Sequence, residues 1–170
     1  MDQDTFHGLL GKTAAARLVQ VRNQHLSARR SGPHSLELVG SVNGVDYIND
    51  SQSTFLDATL QAMSVLERPI VWIAGTLPAE IGQWHIQEFL RERVAALVLF
   101  GKAGDLGIEA LKPFTEHMYT AEELRTAVFV ARELARPGEV VLFSPACPSA
   151  STHANAEERG VEFNNAVRDL

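Results

Sequence analysis

Three runs of strand length constrain the fold more than anything else in this chain: Ile70–Ala74, Ala95–Phe100 and Val140–Phe143. Each is apolar at every position and lacks the polar alternation of a strand with one wet face. Each therefore reads as a strand buried on both sides. Helical periodicity fills the spaces between them. Thr54–Leu66 places Leu56, Leu60, Met63 and Ala62 inward and stops before Pro69, which cannot continue a helix. Gln83–Arg93 reads as a second helix. Ala121–Ala135 is a third, with Thr120 as its cap and Leu124, Ala127, Val128, Ala131 and Leu134 as its stripe. A short helix is expected over Leu106–Leu111 and a short strand at Met118-Tyr119. The last helix is expected to start at Asn155 or a neighbour, with Val161, Phe163 and Val167 on its apolar side.

Strands and helices taking turns in this way imply a largely parallel sheet covered on both faces, with right-handed crossovers. The fold class is α/β, a three-layer Rossmann-like domain. Asn43-Gly44, flanked by Leu36 and Leu38 on one side and Val45 and Tyr47 on the other, signals a type I′ hairpin. That hairpin would form an antiparallel edge. Residues 1–31 differ: Leu9–Leu26 has the spacing of an amphipathic helix, and Ser27–Gly32 is a polar linker with Arg29 and Arg30. The chain thus divides into a helical extension and linker over 1–31 and a domain over 32–170.

A net charge of −6 over 170 residues argues against nucleic acid or an anionic membrane surface as the main partner, since both call for a basic face. The single cysteine, Cys147, excludes an internal disulfide framework and fits a reducing compartment. The longest apolar runs are too short to span a bilayer, and Asp2 and Asp4 spoil the order of a signal peptide. The expected location is the cytoplasm.

Two polar corners carry the functional signal. Tyr47-Ile48-Asn49-Asp50-Ser51-Gln52-Ser53-Thr54 runs from a strand into hydroxyl and amide residues at a helix start. Ser144-Pro145-Ala146-Cys147-Pro148-Ser149 does the same after the last strand, ahead of Glu157-Glu158-Arg159-Gly160-Val161-Glu162-Phe163. In open α/β sheets such strand ends are where anionic ligands bind. Taken alone, the first corner also suits helix capping and the second a plain turn. Cys147 reads as a small packed residue, and the histidines have no metal-ligand spacing, so no bound metal is expected.

Together with Pro33-His34 and the hairpin, these two corners resemble the C-terminal domain of the Mur ligases, most closely that of the members adding D-glutamate. The resemblance covers roughly residues 32–170. It implies ADP-forming ligase chemistry in peptidoglycan-precursor synthesis, by way of an acyl phosphate attacked by an amino acid's amine. It also implies a nucleotide contact at Asp50, with Asn49 beside it, and an amino-acid pocket at Thr54 and Ser149, supported by His34 and Ser51. ATP or ADP with Mg²⁺ would enter only if ATPase and UDP-sugar-binding domains completed the site, in cis or in trans. The domain alone would then be inactive.

Departures from the family pattern cluster at the pocket. Gln52 replaces a lysine, a loss of about 1–3 kcal/mol of charge-assisted binding. Ser35 replaces an arginine, and Ala156 an aromatic. Gly75-Thr76-Leu77-Pro78-Ala79-Glu80 has no lysine where the family carries Gly-Gly-x-x-Lys, and Glu80 would repel a dicarboxylate if it faced inward. Gly8-Leu9-Leu10-Gly11-Lys12-Thr13 mimics a phosphate loop but has no strand before it. These changes leave a second reading open, a degenerate pseudo-ligase that binds or regulates.

Overall fold

The computed structural model describes residues 33–101, 110–111 and 116–170. The expectations for residues 1–31, including the Gly8–Thr13 step, and for most of Leu106–Leu111 lie outside them. The chain divides into two units at Gly32/Pro33, and the second is described here.

Six strands form one sheet: β1 (Glu37–Val42), β2 (Val45–Asn49), β3 (Ile70–Ala74), β4 (Val94–Phe100), β5 (Met118–Ala121) and β6 (Val140–Phe143). Their order is β1-β2-β6-β3-β4-β5, with β1 antiparallel to β2 and every other pairing parallel. Asn43 and Gly44 turn the edge hairpin with φ of 52° and 79°, the two left-handed residues that a type I′ turn requires.

The continuous apolar runs are explained by the two faces they fill. Val71, Ile73, Val98, Phe100, Val141 and Phe143 point to one side, where α3 (Leu124–Leu134) and α4 (Ala156–Arg168) pack. Ile70, Trp72, Leu97, Leu99, Val140 and Leu142 point to the other, against α1 (Leu56–Ser64) and α2 (Trp84–Arg93). Alternate residues of a strand face opposite ways, so a strand between two helical layers is apolar throughout.

Two expectations are corrected, those for Thr120 and Val161. Thr120 and Ala121 extend β5, pairing with Leu99 and Phe100, so α3 starts later, after Glu123. Leu38 is 60% exposed on the edge strand, beside a register shift between Leu38 and Gly40. Val161 is 46% exposed, because α4 buries Arg159, Gly160, Phe163, Asn164, Ala166 and Val167 instead. Two polar residues sit on that buried stripe, which displaces the apolar reading by part of a turn. Asn155 does cap α4: its side chain accepts from the Glu158 N–H at 2.8 Å, while the Glu158 carboxylate accepts from the Ala154 N–H at 2.9 Å.

Candidate functional site

The strand order creates a crevice. Strand β6 lies between β2 and β3, yet it feeds α4 on one face while β2 and β3 feed α1 and α2 on the other. The loops leaving neighbouring strand ends therefore part, as at the topological switch points where α/β sheets bind ligands.

Both polar corners lie there. The Asp50 N–H donates to the Phe143 carbonyl at 2.8 Å, extending the β2–β6 ladder into the loops. Asp50 is 5% exposed, and its Oδ2 accepts from the Ser53 and Ser144 hydroxyls at 2.6 and 2.7 Å. The Ser144 oxygen lies 2.8 Å from the Thr59 hydroxyl. Since Ser144 gives its proton to Asp50, Thr59 is the donor in that contact. The Ser144 carbonyl accepts from the Trp72 indole at 2.7 Å. The Ala146 N–H reaches the Ser53 carbonyl at 3.1 Å, a second tie between the corners.

Beneath them lies Arg159, 0% exposed, whose guanidinium donates to the Ser51 carbonyl at 2.9 Å and the Cys147 carbonyl at 3.1 Å. One cation thus clamps both loops by their backbones. Burial lowers the Arg159 pKa from its usual value. Among the described residues, Arg159 Nε and Ser51 Oγ find no hydrogen-bond partner. Gly160 permits this packing, because a Cβ there would come within 2.5 Å of Ser51 Oγ and 2.7 Å of the His34 ring.

Asn49 is a structural hub. Its Nδ2 lies 2.9 Å from the Gly160 carbonyl, 2.6 Å from Asn164 Oδ1 and 3.1 Å from His34 Nδ1. Two acceptors take its two protons, so the His34 Nδ1 proton goes to the Glu37 carboxylate, 3.0 Å away. The Asn49 side-chain oxygen, Oδ1, accepts from the Ser51 N–H at 3.0 Å and shapes the turn below the cleft.

The cleft itself measures about 570 Å³. Thr54, Phe55 and Leu56 form one side, Thr76, Leu77 and Pro78 a second, and the 146–148 stretch with Ala150 the third. Of the residues expected at an amino-acid pocket, Thr54 lines it. Ser149 does not, although both its neighbours do. Its carbonyl accepts from the Thr152 and His153 N–H groups at 2.9 and 2.8 Å and fixes the turn. His34, Asn49 and Ser51 are buried behind the wall. Gln52, Glu80 and Ala156 are absent from the lining, and Glu80 is exposed. Cys147 packs against Gly75, where a Cβ would overlap its sulfur.

Reading the sequence placed Ser144 and Arg159 at the second corner without a role, and missed Thr59 altogether. Thr59 had a signal: it falls on the inward stripe of α1 between Leu56 and Met63, where a hydroxyl must find a partner.

No protein-family model matches the sequence. Curated relatives do. The UDP-N-acetylmuramoylalanine–D-glutamate ligase of Chlorobaculum parvum is 36% identical over 172 aligned residues, covering 99% of this chain and 37% of the relative. That of Salinibacter ruber is 34% identical, covering 95% and 36%, and that of Bordetella pertussis 40% identical, covering 81% and 27%. The chain therefore spans about a third of the length of these relatives. Among solved structures, the MurF ligase of Thermotoga maritima in complex with ADP matches with a TM-score of 0.50 at 12% identity, over 82% of this chain and 32% of that one. The UDP-N-acetylmuramate–alanine ligase of the same organism gives 0.50 at 14%, over 80% and 30%. At such identities these two likenesses speak for the fold alone.

The sequence likeness, 34–36% identity over 95–99% of this chain, places it in the Mur ligase family as a C-terminal domain, and the layered sheet with its antiparallel hairpin edge agrees with that fold. Within it, the curated relatives reported above are all D-glutamate-adding enzymes.

Proposed function

We propose that this domain holds the incoming amino acid for an ADP-forming ligase of peptidoglycan-precursor synthesis in the cytoplasm. ATPase and UDP-sugar-binding domains, in cis or in trans, would complete the active site. One observation carries the reading: Thr54 and the 146–150 loop, distant in sequence, wall the same cleft. Thr54 would meet the amino acid, and the Ser149 turn would shape the pocket. Asp50 would meet the nucleotide ribose, held in place by Ser53, Ser144 and the turn at Asn49. A carboxylate suits ribose hydroxyls. Among the described residues no group of three His, Cys, Asp or Glu could hold a metal ion. Its contribution is proximity and orientation of the attacking amine. The regulatory reading gains no support, since the curated relatives reported above are named as ligases.

The test has two arms. The purified chain alone should form no ADP from ATP with UDP-muramoyl-alanine and any amino acid; turnover would overturn the reading. Grafted in place of the matching segment of the Chlorobaculum parvum enzyme, it should restore amino-acid-dependent ADP release.

A further inference from the structure

Thr59 is the one polar residue on the buried stripe of α1, among Leu56, Ala58, Ala62 and Met63. An alanine or a leucine would suit a helix interior better, because a β-branched side chain loses rotamer freedom there. The Thr59 hydroxyl does not line the cleft. It lies 2.8 Å from the Ser144 oxygen, and through that contact α1 meets the end of β6.

That contact leads to the junction of all three cleft walls. Ser144 gives its proton to Asp50 Oδ2, which also accepts from the hydroxyl of Ser53, the residue before Thr54. The chain runs from Ser144 into the 146–148 wall and from Ser53 into the wall that starts at Thr54. Two main-chain bonds close the frame. The Ala146 N–H reaches the Ser53 carbonyl at 3.1 Å, and the Gly75 N–H reaches the Pro145 carbonyl at 2.9 Å, next to the wall at Thr76, Leu77 and Pro78. A serine side chain has three staggered rotamers and a hydroxyl that rotates. Asp50 holds the Ser144 hydroxyl on one side and Thr59 on the other, so a single rotamer serves both. Hydroxyls bonded in series also strengthen one another, and Thr59, Ser144, Asp50 and Ser53 are all buried, where water does not compete.

We propose that Thr59 is a positioning residue for the amino-acid cleft: acting through Ser144 and Asp50, it sets the spacing of the Thr54 and 146–148 walls without touching the ligand. The proposal rests on the reading of this cleft as an amino-acid pocket. Thr59→Val keeps the shape of the side chain and removes its hydroxyl. The Ser144 oxygen then lacks its donor, and the Ser144 side chain can leave the rotamer that serves Asp50. Small displacements of a pocket wall weaken a positioned ligand even where no direct contact is removed.

The experiment is calorimetric titration of the 170-residue chain with D-glutamate, the amino acid named for the curated relatives, together with the amide chemical shifts of Thr54 and Ala146. Thr59→Val should weaken D-glutamate binding at least ~3-fold and shift both amide signals, while Thr59→Ser, which restores a hydroxyl, should bind within about 2-fold of the unaltered chain. Asp46→Asn controls for lost stability alone. It lies at the opposite end of β2 from Asn49 and should leave D-glutamate affinity unchanged. Thr59→Ala carries the same expectation as Thr59→Val and replaces it if the valine does not fold. Full affinity in the folded hydroxyl-less variant, or losses as large in Thr59→Ser or Asp46→Asn, would overturn the proposal and leave the amino-acid reading standing. Absence of D-glutamate binding by the unaltered chain would overturn both.

Discussion

At the scale of single residues, the least replaceable group is the Arg159 guanidinium. It is fully buried, no carboxylate among the described residues pairs with it, and two loop carbonyls hold it there. Its fork geometry allows one side chain to reach both carbonyls, which a lysine's single ammonium would not reproduce. Arg159→Lys should therefore cost about 2–3 kcal/mol in urea unfolding, the range for one charged hydrogen bond lost in a buried setting. A loss under about 0.5 kcal/mol would show that the clamp is unimportant. Sequence alone could not have exposed this role. Glu157-Glu158-Arg159-Gly160 looks like an ordinary charged first turn of a helix, and only the placement of α4 beneath both corners turns Arg159 inward. The family resemblance, not the residue types alone, pointed to Asp50 and Thr54; Thr54 lines the cleft, while Asp50 is buried beside it against the Ser53 and Ser144 hydroxyls. The Ser149 position was legible only in part: its loop reached the cleft, while its side chain did not join the lining.

At the scale of elements, the hairpin, all six strands and the starts of α2 and α4 were readable. In each case the signal is local: a left-handed pair at Asn43-Gly44, unbroken apolar runs, a capping asparagine. The start of α3 and the phase of α4 were not. Pairing of Thr120 with β4 overrode its capping preference, and burial of Arg159 and Asn164 overrode the apolar stripe. The hairpin also has an electrostatic tie to the body of the domain. Asp46 on β2 accepts hydrogen bonds from Ser41 on β1 and from Arg68 after α1. The Ser41 hydroxyl, followed by the Arg68 guanidinium, holds the Asp46 pKa below its ordinary value. A depressed carboxylate pKa stabilises the fold above the unfolded value, near 3.9, and that contribution fades as pH falls through the folded value. Asp46→Asn should therefore cost up to about 1 kcal/mol at pH 7, a partly exposed pair being worth no more, and progressively less as the carboxylate is protonated in acid. Parallel stability curves across pH would contradict this.

At the scale of the whole molecule, the cleft follows from where β6 enters the sheet. By inserting between β2 and β3 it brings residues 144–150 beside residues 50–56, which lie far apart in sequence. Neither corner is a site alone. The first supplies a buried carboxylate and a threonine, the second a rigid turn and an apolar wall, and the hydroxyl chain Thr59–Ser144–Asp50–Ser53 joins them. The alternation of apolar runs foretold the sheet, but the strand order that makes the crevice has no local signature.

A double-mutant cycle on unfolding free energy, using Asp50→Ala, Ser144→Ala and the pair, tests this junction most directly. Residues sharing one buried network should be non-additive by about 1–3 kcal/mol, with the double variant less damaged than the sum of the singles. Additivity within about 0.5 kcal/mol would mean that the two corners are energetically independent, and the single-cleft account would fail.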